Sequence, residues 1–232
     1  MCYNNTTGKE EGDSMFNSKY SNFITVLLVI AIIAIIAIIG YCGYDIYTKY
    51  YTNKEAEEAI SQFDSSVGKD ENTTDENTDF QIEGIDESNT DNDESQTQTK
   101  YKGYNMMGYI EIPKISIKYP VLEKVTKKSI QVAVAILDGP GLNQVGNTLI
   151  IGHNYRNGLF FSNLKKLNNG DTIYITDLSG TKIKYTVYSV YETDPQDITY
   201  MSRDTGDRKE ISLSTCTNDG SARTIVWAKA EE

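Results

Sequence analysis

From Tyr20 to Tyr44 the chain carries no charged side chain, and Phe23 to Ile39 is an almost unbroken run of Ile, Leu, Val and Ala. No other stretch limits the possible folds as sharply. At about 1.5 Å of rise per residue, these 25 residues exceed the ~30 Å hydrocarbon thickness of a bilayer. Residues 20–44 are therefore predicted to form a transmembrane anchor. A cleaved secretory signal usually has an apolar region of about 7–15 residues and a small-x-small cleavage site, which Gly40-Tyr41-Cys42-Gly43 does not supply. Cys42 does not fit a lipoprotein site either, because the preceding Tyr41 is not small. Tyr41, Tyr44, Tyr47, Tyr50 and Tyr51 instead have the spacing of an interfacial aromatic belt. Lys9 and Lys19 on one flank balance Lys49 and Lys54 on the other, so the positive charges set no orientation.

The net charge of −11 for 232 residues describes one segment rather than the whole chain. Residues 64–99 hold twelve Asp and Glu against the single Lys69, a net of −11, whereas from Tyr101 onward sixteen Lys and Arg face fourteen Asp and Glu, a net of +2. The C-terminal part has no basic stripe of the kind that binds nucleic acid. Residues 1–19 are a polar tail to which no fold is assigned. Residues 45–100 are read as a juxtamembrane segment and an acidic disordered linker. Within them Thr52 to Phe63 has the pattern of a short helix, with Ala56, Ala59, Ile60 and Phe63 on one side, and Asp64 to Thr99 is too poor in apolar residues to offset chain entropy. On this reading removing residues 1–100 leaves the activity of the C-terminal domain largely intact.

Residues 101–232 have the periodicity of a β-rich domain. Strands are expected at Gly108–Ile112, Ser116–Leu122, Val132–Leu137, Thr148–His153, Thr172–Thr176, Lys182–Tyr191, Glu210–Thr215 and Thr224–Lys229. In the sixth, Ile183, Tyr185 and Val187 alternate with Lys182, Lys184 and Thr186, as a half-buried strand requires. Leu159 to Leu167 reads as a short helix with Phe160, Leu164 and Leu167 inward. Eight strands with few helices point to a mainly β fold, a small closed barrel.

The chain has one histidine, His153, and the β-rich part has one cysteine, Cys216. The three cysteines, Cys2, Cys42 and Cys216, fall in three different regions, so no structural disulfide is expected. Cys216 ends a predicted strand, and a turn around Asn218-Asp219-Gly220 leads back to Arg223, which places a guanidinium near the thiol. A free cysteine has a reference pKa of about 8.5, and a neighbouring fixed cation favours its reactive thiolate form. Cysteine, histidine and arginine near strand ends are the minimum set for thiol-based acyl transfer.

Leu213-Ser214-Thr215-Cys216 followed by Arg223 resembles the L-x-T-C…R signature of the sortases, and Gly146-Asn147-Thr148-Leu149-Ile150-Ile151-Gly152-His153 resembles that family's G-N-x-x-x-x-G-H segment. The motifs stand in the family's order, and the resemblance covers roughly Met107 to Glu231. It implies an eight-stranded sortase-type barrel and a membrane-anchored cysteine transpeptidase without cofactor or metal. Its substrates would be secreted proteins with a C-terminal LPxTG-like sorting signal, and its acceptor an amine of peptidoglycan or a peptidoglycan precursor. It further implies a cell-membrane location with the C-terminal domain outside, Cys216 as nucleophile, His153 as acid and base, and Arg223 as orienter and oxyanion stabiliser. Ser212 replaces the threonine usual at the start of the family's T-L-x-T-C, keeping a hydroxyl, and the spacing of seven from Cys216 to Arg223 is short. No Asp-Pro-aromatic lid lies between Lys100 and Gly108 and no second apolar span follows the domain, as expected of an anchoring rather than a pilus-polymerising type. The alternative is a tethered, non-catalytic β-barrel binding module at the cell wall, with Cys216 merely packed in its core.

Overall fold

The computed structural model describes residues 18–67 and 99–231. The acidic stretch 68–98, read above as a linker, and most of the N-terminal tail lie outside the described residues. The chain divides into two compact units, Met1–Tyr47 and Thr48–Glu232. In the first unit the described residues belong to helix α1 (Ser18–Val67), and Asn22 to Tyr44 are exposed throughout. This is a helix long and apolar enough to cross a membrane. Exposed Ile, Leu and Val on all sides of a helix demand an apolar solvent, which a bilayer supplies.

The second unit is a closed barrel built from β1 (Lys100–Tyr101), β2 (Tyr104–Ile112), β3 (Ile117–Leu122), β4 (Val134–Asp138), β5 (Gly146–Ile151), β6 (Thr172–Asp177), β7 (Lys182–Thr193), β8 (Lys209–Cys216) and β9 (Arg223–Ala230). The strand order is β1-β2-β3-β4-β5-β8-β9-β7-β6, and pairing of β6 with β2 closes eight of the nine strands into a ring, with β1 a two-residue addition on β2. Each of the eight predicted strands is present, most of them longer by one to four residues. Closure leaves no free sheet edge in the ring. It is made possible at Gly108, whose φ of +145 lies beside the bulge in the β2–β3 register and whose absent Cβ would sit 2.0 Å from the Thr176 carbonyl oxygen. Inside the ring Ile110, Val121, Ile150, Ile175, Val187, Leu213 and Val226 form the main core.

Two pairs of neighbouring strands are parallel, β3 with β4 and β5 with β8. The second pair matters most for function. Residues between β5 and β8 form the β6–β7 hairpin and the connection that returns to Lys209, so two strands distant in sequence lie side by side. Along β8, Ile211 and Leu213 point into the core, whereas Glu210, Ser212 and Ser214 alternate onto the outer face and are buried there too. The outer face is covered by the connection from Asp194 to Arg208, whose Tyr200 and Met201 pack with Leu149, Ile151, Tyr191, Ile225 and Trp227.

Two expectations are corrected. Leu159 to Leu167 is not a helix: Phe160 holds a left-handed φ of +49, the chain turns, and only Leu164–Lys166 forms a short 3-10 segment. Phe160, Phe161, Leu164 and Leu167 are buried nonetheless. The apolar residues seek the core, but the loop that follows His153 dictates the backbone path. The juxtamembrane segment is also more than a spacer. The predicted helix Thr52–Phe63 is present, and α1 continues to Val67 because Val67 packs against the cluster of Ile60, Phe63, Met106 and Tyr109. Ala56 joins the main core, Ala59 packs with Tyr101 and Leu122, and Phe63 meets Tyr109 edge to face at 6.0 Å. Asn53 accepts a hydrogen bond from Tyr119 at 2.7 Å, and Lys102 pairs with Glu55 at 2.7 Å. This part of residues 1–100 belongs to the barrel's own core.

Phe63 is 1% exposed, so Phe63→Ala is expected to destabilise the unit by about 3–5 kcal/mol, read from the urea midpoint of residues 48–232. A loss below about 1 kcal/mol would show that the helix is a removable appendage.

Candidate active site

The register of β8 and β9 pairs Cys216 directly with Arg223. Directly opposed residues on antiparallel strands project to the same face, and here the Arg223 guanidinium donates from Nη1 to the Cys216 Sγ at 2.9 Å. The hairpin between them is built for this closeness. Thr217 N–H donates to the Ala222 carbonyl at 2.9 Å, Gly220 N–H donates to the Thr217 carbonyl at 3.0 Å, and Gly220 takes φ +76. Asp219 accepts from the Thr217 hydroxyl at 2.7 Å and from the Ser221 N–H at 3.1 Å, and these bonds, the Thr217 hydroxyl first, hold its carboxyl down to about 2. The short spacing of seven residues is thus a direct cross-strand pair plus a tight turn.

His153 arrives from the other side of β8. The parallel ladder runs from Gly146 opposite Lys209 to Ile151 opposite Ser214, and beyond its end the chain stays attached. Gly152 N–H donates to the Ser214 carbonyl at 3.2 Å, and the Thr215 hydroxyl donates to the Gly152 carbonyl at 2.8 Å. Asn154 Nδ2 then donates to the Cys216 carbonyl at 2.9 Å and to Asn218 Oδ1 at 3.0 Å. The residues on both sides of His153 are therefore bonded to the strand end that carries Cys216. The His153 carbonyl accepts from Phe161 N–H at 3.2 Å, and an Asn154–Phe160 bridge closes the loop. The imidazole lies against Tyr155, with ring centroids 5.1 Å apart.

Cys216, Arg223 and His153 are all half-buried. That exposure separates Cys216 from a packed core residue such as Leu213, which is fully buried. On the adjoining outer face Ile225 and Leu149 are fully buried, packed with Tyr200 of the Asp194–Arg208 connection.

The chain pattern did not single out Asn154, Tyr155 or Arg203. Asn154 bridges the histidine loop to the cysteine strand, Tyr155 contacts the imidazole, and Arg203 binds the outer face of the sheet. For Arg203 a signal did exist: the connection from Asp194 to Arg208 is long and has no regular element, a length usually reserved for functional loops.

A closed eight-stranded barrel with a cysteine and an arginine paired across one hairpin, and a histidine just past the end of the adjoining parallel strand, defines the sortase class of fold. Comparison with known proteins agrees. The family model for the sortase domain matches residues 110–231, just over half of the 232 residues. The chain is 34% identical over 124 residues to sortase A of Bacillus anthracis, an alignment covering 52% of this chain and 58% of that protein, less than two thirds of its length. It is 27% identical over 187 residues to sortase A of Staphylococcus aureus, covering 78% of this chain and 80% of that one. Among solved structures, the Clostridium perfringens sortase D5 transpeptidase superposes with a TM-score of 0.50 at 30% identity, covering 55% of this chain and 80% of that one. The chain belongs to the sortase family.

Burial lowers the His153 pKa below its ordinary 6.5. Since His153 is the one histidine in the chain, its imidazole resonances in an NMR pH titration need no assignment. The midpoint is expected below 6.5. Protonation is harder in the folded chain than in the unfolded one, so stability should fall as pH drops from about 6.5 through the lower folded value. A midpoint at or above 6.5 would contradict a desolvated imidazole.

Proposed function

We propose that this chain is a membrane-anchored cysteine transpeptidase that cleaves a C-terminal LPxTG-like sorting signal of secreted proteins and transfers them to a cell-wall amine. The observation that carries the reading is the 2.9 Å contact from the Arg223 guanidinium to the Cys216 sulfur. The two curated relatives are named sortase A and the solved neighbour is titled a transpeptidase, which supports the reaction class. The apolar helix supports anchoring, and the placement of the barrel outside the cell rests on the family resemblance.

Cys216, as thiolate, attacks the carbonyl carbon before the scissile bond, forming the C–S bond and a tetrahedral oxyanion. Arg223 holds the peptide backbone and stabilises that developing charge, an effect that grows where water is excluded. Collapse breaks the C–N bond; His153, as imidazolium, gives its proton to the departing amine and leaves a thioacyl enzyme. The incoming amine attacks the thioester carbonyl and passes a proton to neutral His153. Collapse then breaks the C–S bond, yielding the new amide and restoring the Cys216 thiolate with the imidazolium. In the free enzyme the lowered His153 pKa favours neutral imidazole, the acceptor form needed in the second half. The first half uses the minority state in which sulfur and imidazole are both charged.

Substrate chemistry is tested with a sorting-signal peptide library, an amine acceptor and intact-mass detection of the acyl enzyme. Wild type is expected to form an acyl adduct, and Cys216→Ala none. Arg223→Ala should lower kcat by about 10²–10³, and Arg223→Lys should not restore it, because a point charge lacks the planar fork. A library in which no peptide is cleaved or acylates the wild-type chain would overturn the reading.

A further inference from the structure

An imidazole that serves as acid and base is usually oriented by a third group, often a carboxylate. Among the described residues no carboxylate acts on His153, and burial is what perturbs it. Its neighbour is a ring: the Tyr155 centroid lies 5.1 Å from that of the imidazole, with the planes tilted by 39°. Tyr155 is 42% exposed, and a ring so placed keeps one orientation only if something backs it. Phe160 does so, with centroids 5.7 Å apart, and is itself 1% exposed. Phe160 in turn meets Tyr119 of β3 edge to face at 5.0 Å. A row of four rings, His153, Tyr155, Phe160 and Tyr119, thus leads from the active end into the core.

The row is held at both ends. Phe160 keeps a left-handed φ of +49, which a bulky residue retains only where its surroundings over-determine it. The surroundings here are the Phe161 bond to the His153 carbonyl, the Asn154–Phe160 bridge, the bond from Tyr155 N–H to Ser162 Oγ at 3.1 Å and that from the Ser162 hydroxyl to the Leu159 carbonyl at 2.6 Å. At the other end the Tyr119 hydroxyl donates to Asn53 Oδ1 at 2.7 Å, and Asn53 belongs to the juxtamembrane part of α1. The same helix covers the middle of the row. Thr48, Thr52 and Ala56 recur at every fourth residue and so share one face. Ala56 is fully buried in the core cluster that contains Leu159 and Phe160, while Thr48 and Thr52 line a recess of about 250 Å³ together with Tyr155, Asn157 and Phe160. Residues 48–56 therefore stand directly behind the loop that carries His153.

We propose that Tyr155 is a positioning residue for His153, and that the juxtamembrane helix, through Asn53, Tyr119 and Phe160, holds Tyr155 against the imidazole. This rests on the transpeptidase reading for the proton transfers that the imidazole makes, and on the geometry alone for the row of rings. Loss of the Tyr155 ring leaves the bond from Arg223 to the Cys216 sulfur in place but frees the imidazole to leave the line of the departing amine. A misplacement of about 1 Å can cost about 10²-fold in rate. The loss falls on kcat more than on KM, because His153 acts in proton transfer. Residues 48–67 then belong to the catalytic unit, and removing residues 1–100 would lower activity rather than leave it intact.

The test uses the full chain in detergent, isotopically labelled at histidine. The single imidazole gives resonances that need no assignment, and the ring current of Tyr155 displaces them, so their positions report the stack without any turnover. Tyr155→Ala is expected to move these resonances towards those of the unfolded chain, and to lower kcat for a sorting-signal peptide at least about tenfold with KM changed less than about threefold. Tyr155→Phe keeps the ring and should hold the resonances in place and kcat within about twofold. Asn53→Ala and Tyr119→Phe remove the bond to the helix while every ring stays, so each should move the resonances the same way by a smaller amount and lower kcat about threefold; combined, they should do no more than Tyr119→Phe alone. Resonances unmoved in Tyr155→Ala, a loss in Tyr155→Phe equal to that in Tyr155→Ala, or a loss carried by KM with kcat unmoved would overturn the role of Tyr155. Asn53→Ala and Tyr119→Phe both indistinguishable from wild type would overturn the part given to the helix. A wild-type chain that processes no peptide would refute the transpeptidase reading instead, and the resonance arm would then decide the row of rings by itself.

Discussion

The parallel ladder between β5 and β8 is the contact on which the site depends. Six successive residue pairs, Gly146 with Lys209 through Ile151 with Ser214, set two distant segments in fixed register, and the chain beyond the last pair has little freedom. Gly152 and Asn154 are bonded to Ser214, Thr215 and Cys216, so the backbone around His153 is fastened to the end of the cysteine strand. The β8–β9 hairpin delivers Arg223 to the same place from the other side. A one-residue slip in either pairing would turn the functional side chain to the opposite face. The closed barrel resists such a slip, because inward residues such as Ile150, Leu213 and Val226 would leave the core with it.

The outer face shows how a strand rich in polar residues stays buried. Glu210, Ser212 and Ser214 are shielded by a connection whose charges and hydroxyls satisfy theirs. Burying Glu210 without partners would carry a large desolvation cost, and the paired cations and the Tyr188 hydroxyl offset it. Such a network adds little net stability compared with apolar packing, but it demands one arrangement of the loop.

Much of this was legible in the chain. Alternation along Lys182–Val187 and the turn residues between strands revealed eight strands, and the motifs named Cys216 and Arg223, which the fold pairs, and His153, whose chain neighbours are bonded to the cysteine strand. Short-range patterns are less informative where tertiary contacts choose the path. Leu159–Leu167 has helical spacing, yet the bond from Phe161 to the His153 carbonyl and the left-handed Phe160 impose a turn. Val67 looks like the start of a polar linker until Met106 and Tyr109 are seen beneath it. Arg203 sits between Ser202 and Asp204 in a polar loop, and nothing local shows that it reaches four strands. Its role comes from residues up to 56 positions away.

The most direct measurement is a crystal structure of the barrel with a sorting-signal peptide analogue captured covalently on Cys216. Convergent chemistry requires the captured carbonyl oxygen to lie within about 2.7–3.1 Å of an Arg223 nitrogen, with the His153 imidazole facing the leaving-group side. A captured peptide that leaves the sulfur in another direction, with Arg223 and His153 both out of its reach, would contradict the shared site.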